Sequence, residues 1–322
     1  MLRGRHSMLQ EILSSNPVIL APMAGMLDRS MRLAFREVGW GVSWIGSIDA
    51  GAVVAKGAGR LINILGKEEI VDPSERPLVV QLIGDDAGIL SHAASLLEDE
   101  ADVLDLNLGC PLHIATSKGM GAAMMKDSEK MLNTLKSFVR STRKPVTAKM
   151  RILAADRVQG TVDLAKRIED TGISGLIIHA RAPEQKFSGR ANWEALRRVK
   201  MNLSVPVIGS GGIQTVSDIF VLRENAGLDG IMVGAGAIRN PFLVREYREY
   251  TMGIPPDRKR RRNILQFASL YAKFACGQKS GISAGIGRLV QHLHYLVLRL
   301  RLDLFVARQR LEKNPFHSEG PK

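Results

Sequence analysis

The chain has 322 residues, 45% of them hydrophobic and 24% charged, which is the composition of a globular protein and excludes a disordered or fibrous one. Two cysteines, Cys110 and Cys276, exclude a disulfide framework and a four-cysteine zinc site, so no metal is expected. Of the net charge of +13, most sits late in the chain, where residues 251–322 hold 14 Lys and Arg against 4 Asp and Glu; this asymmetry suggests an anionic partner, with a merely solvated basic face as the alternative.

The first segment, MLRGRHSMLQEILSSNP, lacks the apolar core and small-residue cleavage site of a secretory leader. The most apolar late stretch, His294 to Val306, is interrupted by Arg299, Arg301 and Asp303, so no membrane span is expected. The expected compartment is the cytoplasm. From Asn16 onward, eight short apolar runs alternate with segments of helical period: 17–24, 41–48, 77–84, 102–109, 145–152, 175–181, 205–212 and 230–237. That order predicts an α/β protein, a (β/α)8 TIM barrel over residues 1–250, with its chemistry at the C-terminal ends of the strands. No run is followed by G-x-G-x-x-G, which argues against a dinucleotide-binding open sheet.

The strand ends carry the candidate site residues. Cys110, in DLNLGCP, follows the fourth run directly and is placed at the barrel mouth; a lone cysteine is otherwise most often inert packing. Lys149 and Arg151, two apart on the fifth run, point to the same side. An ammonium there suits an electron-poor ring and a guanidinium suits an oxyanion, although a salt bridge to a barrel carboxylate is the plainer reading. His179 ends the sixth run and is either a ligand donor or a structural histidine. Glycines in Gly209–Gly212 and Gly234–Ala237 bring bare backbone N–H groups together where barrels commonly bind phosphate. Beyond the stiff Pro255-Pro256 step and the basic run Arg258 to Arg262, the pattern changes. Ile264, Phe267, Ala268, Tyr271 and Phe274 share one helical face, as do Leu289, Leu293, Leu296, Val297 and Leu300, which predicts a small basic C-terminal helical domain over 251–322. Gly277 to Gly287 is the expected loop between its helices, and Cys276 is read as packing.

The segments APMAGMLDRSMR, DLNLGCP, KMRI, IHAR followed by FSGRANW, and GAGAIRNPFL stand in an order that resembles the tRNA-dihydrouridine synthases. The resemblance spans residues 16–250 and the layout of the basic tail. It implies an oxidoreductase that carries FMN, takes electrons from NADPH and reduces the C5–C6 double bond of uridines in tRNA. It further implies that Cys110 protonates C5 opposite the hydride delivered to C6, and that Lys149 stabilises the anionic reduced ring. Gln81 is implied at the flavin edge and Pro22, Met23 and Ala24 along the ring. His179, Ser210, Gly211, Gly212, Gly234 and Ala235 are implied at the ribityl chain and phosphate, and Asn107 and Arg151 at the uracil. The chain departs from the family pattern at Ser210-Gly211-Gly212-Ile213, at Ala235, and at Gly46-Ser47-Ile48 in the second run.

A uracil inside folded tRNA must be extruded to reach a barrel mouth, and phosphate contacts elsewhere must offset that cost. Arg258 to Arg262, Lys273, Lys279, Arg288, Arg299, Arg301, Arg308 and Arg310 are the candidate contacts, with tRNA the expected partner and no protein partner indicated. Two other readings stay open: an FMN barrel acting on a free pyrimidine, which leaves the basic tail without a role, and a tRNA-binding barrel without activity.

Overall fold

The structure is a computed structural model and describes residues 2–23, 26–57, 71–255 and 260–276. Each of the eight apolar runs holds one strand, the second strand running one residue past its run: β1 (Val18–Leu20), β2 (Ser43–Asp49), β3 (Leu78–Ile83), β4 (Val103–Asn107), β5 (Val146–Arg151), β6 (Gly175–His179), β7 (Val207–Ser210) and β8 (Gly230–Val233). All pair in parallel in the order β1-β8-β7-β6-β5-β4-β3-β2, which fits a (β/α)8 barrel. Strands covered on both faces read as continuous apolar runs, and β3 and β4 are buried along their whole lengths. Between β1 and β2 the strand starts abut, since a Cβ on Gly41 would sit 1.5 Å from Asn16 Oδ1.

Alternation along the strands divides the core in two. One set of strand residues, among them Ile19, Trp44, Val79, Ile177 and Met232, packs together inside the barrel, while the other set packs against the surrounding helices. The helices start where Asp28, Asp86, Asp127 and Asn192 accept backbone N–H groups as N-caps.

The opening segment forms a helix, Leu2–Ser15, whose Leu9, Ile12 and Leu13 join the interior cluster. It seals the end where the strands begin. Gly175 and Gly230, the first residues of β6 and β8, leave the space it needs: a Cβ there would lie 2.5 Å from Leu9 and 3.0 Å from Leu13. The opposite end is left for the site.

The first tail helix, Arg260–Cys276, packs on the barrel helix Arg29–Glu37. Phe267 and Tyr271, both on the predicted apolar face, are buried, with the Phe267 ring 4.8 Å from that of Phe35 and the Tyr271 hydroxyl 3.0 Å from Asp28. The second apolar face (Leu289 to Leu300), the 277–287 loop and the basic residues from Lys279 onward lie outside the described residues, as do Arg258 and Lys259. Nothing is described of the Arg260 to Arg262, Ile264 and Cys276 side chains either. Among the described residues, no helix is long and apolar enough to cross a membrane.

Candidate active site at the barrel mouth

Strand register decides which side chains meet. Gln81 pairs with Asp105 across β3 and β4, and β4 against β5 pairs Asp105 with Thr147 and Asn107 with Lys149. One step further out, Arg151 pairs with His179 and His179 with Ser210. Gln81, Asn107, Lys149, Arg151, His179 and Ser210, proposed from sequence, therefore gather around one opening, directly below the turn that carries Cys110.

A buried polar chain links four of the strands to that turn. Thr147 Oγ1 donates to Asp105 Oδ1 at 2.6 Å, and Gln81 Nε2 donates to Asp105 Oδ2 at 2.7 Å. Gln81 Oε1 accepts from Asn107 Nδ2 at 2.9 Å, and the same Nδ2 donates to Ser47 Oγ at 3.2 Å. Asn107 Oδ1 then accepts the backbone N–H groups of Gly109 at 3.0 Å and Cys110 at 2.9 Å. Asn107 thus has its hydrogen-bonding capacity filled within the chain. Ser47, one of the departures from the family pattern, is here a partner of Asn107. Its strand comes this close because of Gly46: a Cβ there would lie 2.4 Å from the Gln81 carbonyl oxygen, and its φ is +125°.

Arg151 grips the turn from the other side. It is buried, and its Nε donates to the Gly109 carbonyl at 2.8 Å. Its NH1 donates to the carbonyls of Lys186 at 2.6 Å and Ala182 at 3.3 Å, and the guanidinium stands 5.3 Å from the centre of the Phe187 ring. One guanidinium fork ties the loop after β4 to the loop after β6. Of the two expected uracil contacts, Asn107 has its bonds within the chain and Arg151 commits Nε and NH1 to loop carbonyls; both hold Cys110 in place.

Burial and charge reshape the titration of this cluster. Desolvation raises the Asp105 carboxyl to about 6, opposed by the Thr147 and Gln81 hydrogen bonds and by the Lys149 charge. Lys149 is lowered to about 8 by desolvation, with Asp105 pulling the other way and Arg151 adding repulsion. Burial also lowers Arg151, to about 10. For His179, desolvation and the nearby Lys149, Arg151 and Arg181 charges push the imidazole far below its ordinary range, which keeps it neutral. Its Nδ1 is buried and has no hydrogen-bond partner among the described residues.

The glycine-rich turn after β7 lies against this imidazole. Gly211 has φ +103°, and a Cβ on it would stand 3.1 Å from His179 Cε1. Trp193 Nε1 holds the Gly211 carbonyl at 2.9 Å, and Gly212 also has a positive φ, +80°. Met23, half-buried after β1, reaches Gly234: its Sδ would be 3.8 Å from a Cβ there. Pro22 is half-buried, Ala235 is exposed and opens the helix Ala235–Arg239, and Ala24 lies outside the described residues. An ammonium, a buried imidazole nitrogen without a partner, and a backbone turn free of side chains fit a phosphate-bearing, electron-poor ring. Asp105, Thr147 and Ser47 were not singled out from sequence. Asp105 had a usable signal, as an acidic residue two before Asn107 on an otherwise apolar strand.

The family model described as dihydrouridine synthase matches residues 19–293. A probable tRNA-dihydrouridine synthase of Rhizobium leguminosarum bv. phaseoli is 33% identical over 238 residues, 70% of this chain and 70% of that protein. The tRNA-dihydrouridine synthase B of Pseudomonas aeruginosa is 30% identical over 241 residues, 73% of this chain and 70% of that one. Among solved structures, the old yellow enzyme from Trypanosoma cruzi is similar in fold, with a TM-score of 0.51 at 13% identity, covering 80% of this chain and 94% of that one.

Proposed function

Because the chain belongs to the dihydrouridine synthase family, we propose that it is an FMN-dependent tRNA-dihydrouridine synthase that reduces the C5–C6 double bond of uridines in tRNA with NADPH as electron source. The observation that carries this reading is the family match through residues 19–293, which includes the Cys110 turn and the charged cluster beneath it. The Lys149 ammonium, the buried His179 Nδ1 and the Gly211-Gly212 turn support a flavin at this mouth.

When bound, FMN supplies the hydride that reaches C6 of the uracil. Cys110 holds a proton on Sγ for C5, and the thiolate is then reprotonated from solvent. Lys149 places positive charge where the ring gains negative charge, in a site already out of bulk water. Gln81 would meet the ring edge, and Pro22, Met23 and Ala24 would line the ring, as the family resemblance implies. His179 offers its unpartnered Nδ1 as an acceptor or, in the other tautomer, a donor. Ser210, Gly211, Gly212, Gly234 and Ala235 would hold the ribityl chain and phosphate, largely through backbone. Asn107 and Arg151 define the uracil side by fixing the turn on which Cys110 stands. The basic tail would hold tRNA phosphates while the uridine is extruded, and the cytoplasm is the compartment proposed for this work.

The test is a visible absorption spectrum of the purified protein, then NADPH, then unmodified tRNA, all without oxygen. A flavin spectrum that NADPH bleaches and tRNA restores supports the reading. A flavin that responds to free uracil or orotate and not to tRNA overturns it.

A further inference from the structure

The polar chain beneath Cys110 has a direction, and one residue sets it. An ionised carboxylate can only accept hydrogen bonds, so Asp105, receiving Thr147 and Gln81, obliges Gln81 to present Nε2 downward and Oε1 upward. Gln81 Oε1 in turn obliges Asn107 to present Nδ2, which leaves Asn107 Oδ1 for the N–H groups of Gly109 and Cys110. Reversing the lowest bond reverses the whole chain: Gln81 would offer N–H to Asn107, and Asn107 would turn its NH2 toward two backbone N–H groups, donor against donor. Water cannot repair the mismatch, because Gln81 is 1% and Asp105 0% exposed, and Asn107 9%.

We propose that Asp105 is a positioning residue for the reaction, acting through Gln81 and Asn107 to fix the turn that aims the Cys110 thiol. The inference rests on the reading of Cys110 as proton donor, while the relay itself is a property of the protein without cofactor. It accounts for a hydrogen-bond acceptor kept in a fully buried position that an apolar residue of similar size would fill. The Thr147 hydroxyl is a rotor that accommodates either direction, so the polarity comes from Asp105.

The decisive experiment removes the acceptor and then restores it without the charge. Asp105→Leu leaves Gln81 Nε2 with nothing to donate to, whereas Asp105→Asn can turn its Oδ1 to Gln81 and its Nδ2 to the Thr147 hydroxyl and so keep the order. Asp105→Leu is expected to lower kcat/KM for tRNA reduction by about 10- to 100-fold, and Asp105→Asn to retain most of it. A second readout needs no flavin: iodoacetamide alkylation of Cys110, followed by peptide mass, is faster in Asp105→Leu and stays near the wild-type rate in Asp105→Asn. An Asp105→Leu protein that matches wild type in both readouts overturns the proposal, as does an Asp105→Asn protein as impaired as Asp105→Leu. If Asp105→Leu does not fold, Gln81→Leu, which removes the next member of the chain, takes its place in the alkylation assay, and a wild-type rate there overturns the proposal. A wild-type protein that forms no dihydrouridine overturns the functional reading instead, and the alkylation pattern still decides the relay.

Discussion

Asn107 and Cys110 are joined by a bond that runs from side chain to main chain: Asn107 Oδ1 accepts the Cys110 backbone N–H at 2.9 Å, and the same oxygen takes the Gly109 N–H. The proposed proton donor therefore stands on a turn built by a strand-end amide. Asn107→Ala leaves two backbone donors, the Gln81 oxygen and the Ser47 hydroxyl short of a partner. It is expected to cost about 2 kcal/mol of stability, read by urea unfolding. Single-turnover reduction of tRNA falls about 10- to 100-fold in the same variant.

Cys110→Ala isolates the proton. The side chain is half-buried at the mouth, and its removal leaves Asn107 and Arg151 bonded to the backbone as before. Dihydrouridine formation is expected to fall by about 10²- to 10⁴-fold, with tRNA affinity in a filter-binding assay unchanged. Undiminished formation would remove Cys110 from the chemistry.

Arg151→Lys tests the clamp. A lysine carries the charge but lacks the planar fork, so it cannot hold the Gly109, Ala182 and Lys186 carbonyls together. The loop after β6 is then expected to open to trypsin at Lys186 and Arg190 at a rate wild type does not show. Equal cleavage rates in the two proteins would contradict this role.

Lys149 gives a pH signature. Its folded-state value of about 8 lies below the ordinary 10.5, so burial of the ammonium costs stability below about pH 8. Between about 8 and 10.5 the folded protein has released this proton and the unfolded chain has not, so stability rises with pH across that window. Lys149→Met lacks this rise. The difference in unfolding free energy between wild type and variant should therefore shift in favour of wild type from pH 8 to 10, and a difference independent of pH would contradict the assignment.

Much of this was legible in the chain, for physical reasons that differ between its parts. The eight strands were readable because parallel strands buried on both faces need uninterrupted apolar runs, and each run holds its strand. The mouth residues were readable because strand ends carry a barrel's chemistry, so Lys149, His179 and Ser210 could be placed before their register was known. What a residue does there was less legible. Arg151 and Asn107 look like substrate contacts in sequence, and nothing local foretells their further bonds to carbonyl and N–H groups of loops whose paths no local pattern encodes. Ser47 meets Asn107 across 60 residues of chain, and only the pairing of β2 and β4 on either side of β3 brings the two together. The seal made by Leu9 and Leu13 was invisible for the same reason: it depends on the gap left by Gly175 and Gly230.

The most direct measurement is the mass of tRNA nucleosides after incubation with the purified protein, FMN and NADPH. The tRNA should come from cells lacking dihydrouridine, with the Cys110→Ala protein run beside wild type. The account predicts uridine gaining two hydrogens at defined positions with wild type and almost none with the variant. Unchanged tRNA with a flavin-loaded, NADPH-reducible wild-type protein would contradict it.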